Sequence, residues 1–492
     1  MIINSEQLVV LCPLFILLLT VTTILLSISY YRDHFFIFLC SILGLIFSLF
    51  SLYIIKNIIP IDITILFHVD KYSLLYISIV ILSSIFSCMF SYFQLKNFYG
   101  KCEEFYLLLL LSTIGCIVLI ISNHMFSLFI GMELIFLPTL GLISYSYDKK
   151  YSLEATLKYM ILSCSISVLA LFGISLIYSI SGSLTFCSLI YELVSSVSHS
   201  NSILLCGLGL VILAFLFKLS IFPFHIWIVD VYEGTQSSIL MYFSTAIKIA
   251  VFSLFFKIFV FLAYFHVEFF NVLLKYLSCL SILFGSIMAL FQTNLKRFLG
   301  YSSISQFGYV LIPLLSSQNF NFALEATGIY LIGYFLSSMG VFGIMSLLFD
   351  SNNKHKCDLI DFYSGLFWKS PILAGIFSVV LFSFSGLPIT VGFFGKFYLL
   401  SIIIKEHFWF LGIVFCIGSI LSIYSYLKIV TRLYICPGKN VLYREKIIVN
   451  VNRKKYVLFL LAISFLILML GIYPSMIINI ISMSEPTLFV KI

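Results

Sequence analysis

An all-α polytopic membrane fold of about 14 transmembrane helices is predicted by three observations. Of 492 residues, 62% are hydrophobic and 10% charged, against roughly 25% charged in soluble domains. The apolar residues cluster in runs near the roughly 20 residues that cross a bilayer. Two of the longest runs are interrupted by proline or glycine close to a lysine. A soluble chain of this size could not cover its surface with 28 basic and 20 acidic side chains. No long stretch has the composition of a separate soluble domain.

In chain order the runs fall at Leu8–Ile28, Phe35–Ile55, Ser73–Phe93, Phe105–Ile121, Met125–Tyr145, Leu157–Ser181 and Ile203–Val229, then Ile239–Ala263, Val272–Phe291, Phe298–Leu315, Ala323–Phe349, Pro371–Ile404, Phe408–Tyr434 and Tyr456–Ile481. The segment Met1 to Gln7 carries Glu6 and no basic residue. A cleaved signal peptide has a basic leader, so the first run is expected to stay. Basic residues crowd the loops after odd-numbered runs, among them Arg32, Lys149, Lys150, Lys296, Arg297, Lys354, Lys356, Lys439, Arg444 and Lys446. The other loops hold few, such as Lys56 and Lys71. By the positive-inside rule the odd loops are cytoplasmic and both termini face the other side.

The net charge of +8 is read through the same rule, because no basic patch interleaved with aromatics suggests nucleic acid. Of the 12 cysteines, Cys12, Cys40, Cys88, Cys116, Cys164, Cys206, Cys279 and Cys416 lie inside apolar runs, without CxxC or Cys/His ligand spacing. They are expected to be small buried hydrophobes.

The run Ile203–Val229 contains Phe217-Lys218-Leu219-Ser220-Ile221-Phe222-Pro223-Phe224-His225, and Pro371–Ile404 contains Ser383-Phe384-Ser385-Gly386-Leu387-Pro388-Ile389-Thr390-Val391-Gly392. Proline removes a backbone donor and glycine frees the chain, so each run is expected to break into two half-helices. Paired interrupted helices in two repeats point to an ion or substrate path.

Four ionisable residues sit deep in apolar runs: Glu133, Lys218, Lys248 and Lys396. Each costs about 2.5–3.5 kcal/mol at a helix centre, which favours function over ornament. Snorkelling is the plain alternative for a lysine, and it is hard for Lys248, about ten residues into its run. Desolvation and a neighbouring carboxylate push a lysine's proton affinity in opposite directions. At an effective dielectric near 20, a carboxylate at about 4 Å is worth roughly 4 kcal/mol. Opening and closing a Glu133–Lys218 pair is therefore expected to make that lysine release and bind a proton. A relay from Lys218 to Lys248 to Lys396 would add repulsion that ejects one. His225, directly after the first break, is a possible relay or a structural imidazole. Glu154 and Lys158 read as an i,i+4 pair, Lys296 and Arg297 as interface anchors, and Asp230 and Glu233 as the cytoplasmic end of the broken helix.

These residues carry a family resemblance. The segments Gly131-Met132-Glu133-Leu134 and Ser152-Leu153-Glu154-Ala155-Thr156-Leu157-Lys158-Tyr159 resemble the subunit N family among the antiporter-like membrane subunits of proton-pumping NADH:quinone oxidoreductase (respiratory complex I). So do Phe217-Lys218 with Pro223-Phe224-His225-Ile226-Trp227, the string Asp230-Val231-Tyr232-Glu233-Gly234, Asn294 through Ile304, and Gly386-Leu387-Pro388 through Gly392-Phe393-Phe394-Gly395-Lys396-Phe397. The likeness covers essentially the whole chain, and the Asp230–Gly234 string separates subunit N from its sisters.

The resemblance implies two inverted five-helix repeats, each with one broken helix. Residues 1–104 would hold helices 1–3, 105–265 the first repeat, 270–436 the second, and 437–492 a final helix. It implies that Glu133 and Lys218 form a first half-channel, that Lys248 is the central relay and that Lys396 is the exit group. NADH, FMN, iron–sulfur clusters and quinone would be handled by other subunits, with no cofactor or metal in this chain. The expected partners are sister antiporter-like subunits, small helical subunits and membrane lipid, in a bacterial inner membrane. The sequence departs from the family pattern at Val229, at Thr235-Gln236-Ser237-Ser238 and at Ile247, where prolines or an Ala-Pro-Thr-like run are usual. Two rival readings are a subunit of a multi-subunit sodium/proton antiporter, which the Asp230–Gly234 string disfavours, and a pump-inert structural subunit, which the four retained charges disfavour.

Overall fold

The structure is a computed structural model that describes residues 4–96, 101–146, 150–188, 202–264, 268–316, 320–348, 358–435 and 451–484. Lys149, Lys354, Lys356, Lys439, Arg444 and Lys446 lie outside the described residues. Helices make up nearly all of it, and 12 of those described are long and apolar enough to cross a membrane. The chain is a multi-pass membrane protein. Its outer helices, such as Cys12–Tyr30, expose Phe15, Leu19, Leu25 and Leu26. In a solvent of lipid tails, apolar side chains on the outside carry no penalty.

Many serines lie inside these helices, and most return their hydroxyl to the carbonyl three residues back, as Ser48, Ser83 and Ser303 do. That local bond satisfies a polar group where water is absent.

Both anticipated interruptions are present. Ser202–Lys218 ends and Ile226–Gly234 begins after a seven-residue gap; Pro371–Ser385 ends and Val391–Lys405 begins after Gly386 to Thr390. At the first break Ser220 takes a left-handed backbone (φ 59°) and the Phe222–Pro223 peptide is cis. At the second, Gly386 adopts φ 77°, and the Leu387 N–H donates to the Phe382 carbonyl at 3.1 Å. This is the bond pattern with which a left-handed glycine closes a helix.

Three features were not anticipated. Ile61–Thr64 and Phe67–Val69 form a small antiparallel hairpin within the otherwise helical fold, pairing Asp62 with His68. The last expected span divides into Val451–Ile472 and Ser475–Ser482, because Pro474 has no N–H to continue the ladder. Ahead of Lys248, residues Phe243–Ile247 form a π-helical turn, a local widening that is frequent at functional sites.

The chain divides into two compact units. One comprises Met1–Ser220, Tyr242–Phe270 and Met483–Ile492; the other comprises Ile221–Met241 and Asn271–Ser482. In the first, Lys150–Ser181 packs tightly on Ser202–Lys218. A Cβ on Gly173 would stand 2.7 Å from the Gly207 carbonyl oxygen, so only glycine permits that approach. In the second, Phe320–Leu348 is buried along nearly its whole length and is an interior helix.

Candidate functional site

Lys218 closes the Ser202–Lys218 half-helix and is 8% exposed. Its ammonium donates to Ser163 Oγ at 3.0 Å and Tyr159 Oη at 3.3 Å. It also lies 5.1 Å from the Phe136 ring centroid and 5.3 Å from that of Tyr159. Ring faces and hydroxyls attract a cation without neutralising it. Glu133 stands one helical turn before Phe136 on Met125–Ile143 and is half-buried. The structure does not join Glu133 and Lys218 as an ion pair: phenol and serine, rather than carboxylate, hold this ammonium.

Lys248 follows the π-helical turn and is completely buried. It donates to Ser220 Oγ at 2.9 Å. Ser220 lies two residues beyond the end of the Lys218 half-helix, so the strained left-handed turn aims a hydroxyl at the central lysine. Strain of this kind persists where surroundings over-determine it, commonly at functional sites.

The second unit repeats the arrangement with different atoms. Lys396, on Val391–Lys405, donates to the Ser385 carbonyl oxygen at 2.7 Å and to Ser422 Oγ at 3.2 Å. The Tyr309 ring lies 5.4 Å away. Gln306 donates to the neighbouring Phe384 carbonyl at 3.2 Å and accepts from Tyr330. A cavity of about 10 Å³ adjoins Lys396, lined by Gln306, Tyr330, Tyr334, Ser337 and Ser383 among others. That is about the smallest volume that admits one water. Thus Lys248 and Lys396 each point at the C-terminal side of a broken helix, where freed carbonyls and the helix dipole favour a cation.

His225 lies in the second unit, with its ring against Phe222 and Phe284 at centroid distances of 5.2 and 4.5 Å. Glu233 is held by Arg297 at 3.1 Å and by the Asn294 amide at 3.2 Å. Lys296 is not an interface anchor: it is 3% exposed, 3.0 Å from Asp358 Oδ1, and donates to the Thr235 carbonyl at 2.8 Å. Thr235 is the C-cap of Ile226–Gly234, so this lysine pins the end of the second half-helix. Glu154 and Lys158 make the anticipated i,i+4 pair at 2.6 Å.

The count of four deep charges is too low. Lys257 is 2% exposed and lies 3.6 Å from Asp70, itself wholly buried. Lys257 sits in Phe255-Phe256-Lys257-Ile258-Phe259, and the criterion that singled out Lys248 applies to it equally. Asp70 stands beside Lys71 in a polar connection and gives no such signal. The cysteines also divide: Cys88, Cys116 and Cys279 are buried, whereas Cys164, Cys206 and Cys416 lie on the outer, apolar surface.

A family described as "NADH:quinone oxidoreductase/Mrp antiporter, TM" matches residues 122–422, which include Glu133, Lys218, Lys248 and Lys396. Over 490 residues the chain is 47% identical to NADH-quinone oxidoreductase subunit N of Buchnera aphidicola subsp. Schizaphis graminum (strain Sg), covering 98% of this chain and 99% of that protein. Among solved structures, a chain of respiratory complex I from Thermus thermophilus with bound Aureothin superposes with a TM-score of 0.80 at 24% identity, over 96% of this chain and 100% of that one. A chain of the Mrp complex from Dietzia sp. DQ12-45-1b gives 0.81 at 18% identity, over 98% and 97%. At such identities both structures establish the shared fold alone.

Proposed function

This chain belongs to the NADH:quinone oxidoreductase/Mrp antiporter membrane family, and from that membership we propose that it is a subunit-N-type proton-translocating member of an NADH:quinone oxidoreductase. The redox centres and the nucleotide belong to other subunits of that assembly. Electron transfer there supplies the energy, and this chain moves protons through buried side chains. Moving one proton against 100 mV takes about 2.3 kcal/mol.

The observation that carries this reading is the repeated placement of a buried lysine ammonium at the C-terminal side of an interrupted helix, Lys248 on Ser220 and Lys396 on Ser385. Hydroxyl and carbonyl oxygens accept from a lysine ammonium while it is charged, and these neutral partners stay in place when it releases a proton. We assign Lys218, with Glu133, to proton loading, Lys248 to the central step and Lys396 to release, with His225 as an auxiliary relay. We assign the two repeats to 105–265 and 270–436, the chain to a bacterial inner membrane, and both termini to the side away from the cytoplasm. The family model spans both classes, and the 47% identity to subunit N against 18% to the Mrp chain favours this over the sodium/proton antiporter reading.

The test is the intact oxidoreductase in sealed vesicles, with NADH oxidation and proton uptake followed together. Lys248→Met is expected to lower the protons moved per NADH oxidised. An unchanged ratio in the assembled complex would reject the reading.

A further inference from the structure

The helix that bears Lys248 is tied to one neighbour on both sides of that lysine. Before it, the Tyr242 hydroxyl lies 3.0 Å from Ser112 Oγ and 3.7 Å from Cys116 Sγ. After it, Lys257 Nζ donates to the Ile120 carbonyl oxygen at 3.1 Å. Ser112, Cys116 and Ile120 all belong to Glu103–Ile121 and follow one another at four-residue spacing, so they form a single stripe.

The Lys257 attachment has further support. Its ammonium is 3.6 Å from Asp70 Oδ1 and 5.4 Å from the Tyr72 ring centroid. Asp70 is itself fixed as the N-cap of Lys71–Leu95, accepting from the Ser73 N–H at 2.8 Å. Tyr72 donates to the Ser253 carbonyl at 3.0 Å, about one turn before Lys257. The start of Lys71–Leu95 and the end of Glu103–Ile121 therefore meet at this lysine.

Between the two attachments lies the π-helical turn Phe243–Ile247. Such a turn holds one residue more than an α-helical ladder needs, and the surplus can migrate along a helix whose flanking turns are free. A shift of one residue rotates a side chain by about 100°, which would carry Lys248 off Ser220. Fixing the helix on both sides confines the surplus residue to the interval between Tyr242 and Lys257, and the Tyr72 bond to the Ser253 carbonyl narrows that interval.

We propose that Lys257, paired with Asp70, and Tyr242 are positioning residues that hold the π-turn in register and thereby keep the Lys248 ammonium on Ser220. The inference rests on the reading of Lys248 as a proton carrier. On this reading Lys257 serves as an anchor through its hydrogen bond to Ile120 and its pairing with Asp70, a role that the cationic side chain of arginine can fill.

The experiment compares Lys257→Met, Lys257→Arg, Tyr242→Phe and Lys248→Met in the intact complex in sealed vesicles, reading protons moved per NADH oxidised. The expected result is a loss of about twofold or more in Lys257→Met, a smaller loss in Tyr242→Phe and the unmodified ratio in Lys257→Arg. A normal ratio in Lys257→Met alongside an impaired Lys248→Met overturns the proposal. Equal damage from arginine and methionine at 257 also overturns it, because a cation at that position would then not suffice to hold the turn. Should Lys257→Met fail to assemble, a normal ratio in Tyr242→Phe overturns it instead. A normal ratio in Lys248→Met rejects the underlying functional reading, which is a separate outcome.

Discussion

The Lys396 ammonium lies 2.7 Å from the carbonyl oxygen of Ser385, the residue that closes the Pro371–Ser385 half-helix. The final carbonyls of a helix have no donor within the helix, and the aligned peptide dipoles place roughly half a negative charge there. In this structure Gln306 takes the Phe384 carbonyl and Lys396 takes that of Ser385. The lysine is thus held by the geometry of the break. If its role is to carry a proton, Lys396→Met and Lys396→Arg should lower the protons moved per NADH to a similar extent, because arginine keeps its charge at all working pH values. Pumping in sealed vesicles checks this, and full activity in the arginine variant would reduce Lys396 to a structural cation.

Lys218 depends on two hydroxyls. Tyr159→Phe and Ser163→Ala each remove one partner of the ammonium, and a hydrogen bond to a charged group is worth about 1.5–3 kcal/mol. Each variant is expected to slow proton uptake, and the double variant to slow it more than either. Rates followed with a pH-sensitive dye report the outcome.

Gly386 tests the break itself. An alanine there must adopt φ 77°, and its Cβ would meet Lys396 Cδ at 2.7 Å. The left-handed conformation alone costs about 1–2 kcal/mol. Gly386→Ala is expected to depress pumping more strongly than NADH oxidation. Gly375→Ala, where a Cβ meets nothing within 4 Å, should leave both unchanged.

Lys296→Met should act on assembly rather than on proton transfer. It strands Asp358, whose side chain is 16% exposed, and leaves the Thr235 carbonyl without this donor. Breaking a buried pair by removing one partner costs about 3–5 kcal/mol, so the amount of assembled complex on a native gel should fall. Lys158→Ala removes an exposed i,i+4 pair worth about 0.5 kcal/mol or less and should leave that amount unchanged.

What could be read in the residues follows from what each signal depends on. Glu133, Lys218, Lys248 and Lys396 stood out because a charge inside an apolar run is expensive wherever the run folds. The two central breaks were legible because proline and glycine act on their own backbone. Pro474 carried the same mark and divides the last span for the same reason. Partners separated widely in sequence left no such trace: Asp70 meets Lys257 across 187 positions of chain, and Lys296 meets Asp358 across 62. The π-turn was invisible because Phe243 to Ile247 have no composition that prefers five-residue spacing. The hairpin leaves no distinct mark, because strands as short and mixed as Ile61–Thr64 and Phe67–Val69 also suit a loop between spans.

The carbonyl that receives Lys396 is a fixed dipole. It can hold a cation, but it has no proton to give and no second state to adopt. In circuit terms the interrupted helix is a passive plate beside a movable charge: it lowers the energy of charging the lysine equally for a proton arriving from either side. Such an element stores charge without rectifying it. One-way flow through Lys396 must therefore be imposed by whatever alters access to it, which makes the sense of pumping a property of the driven assembly rather than of the lysine.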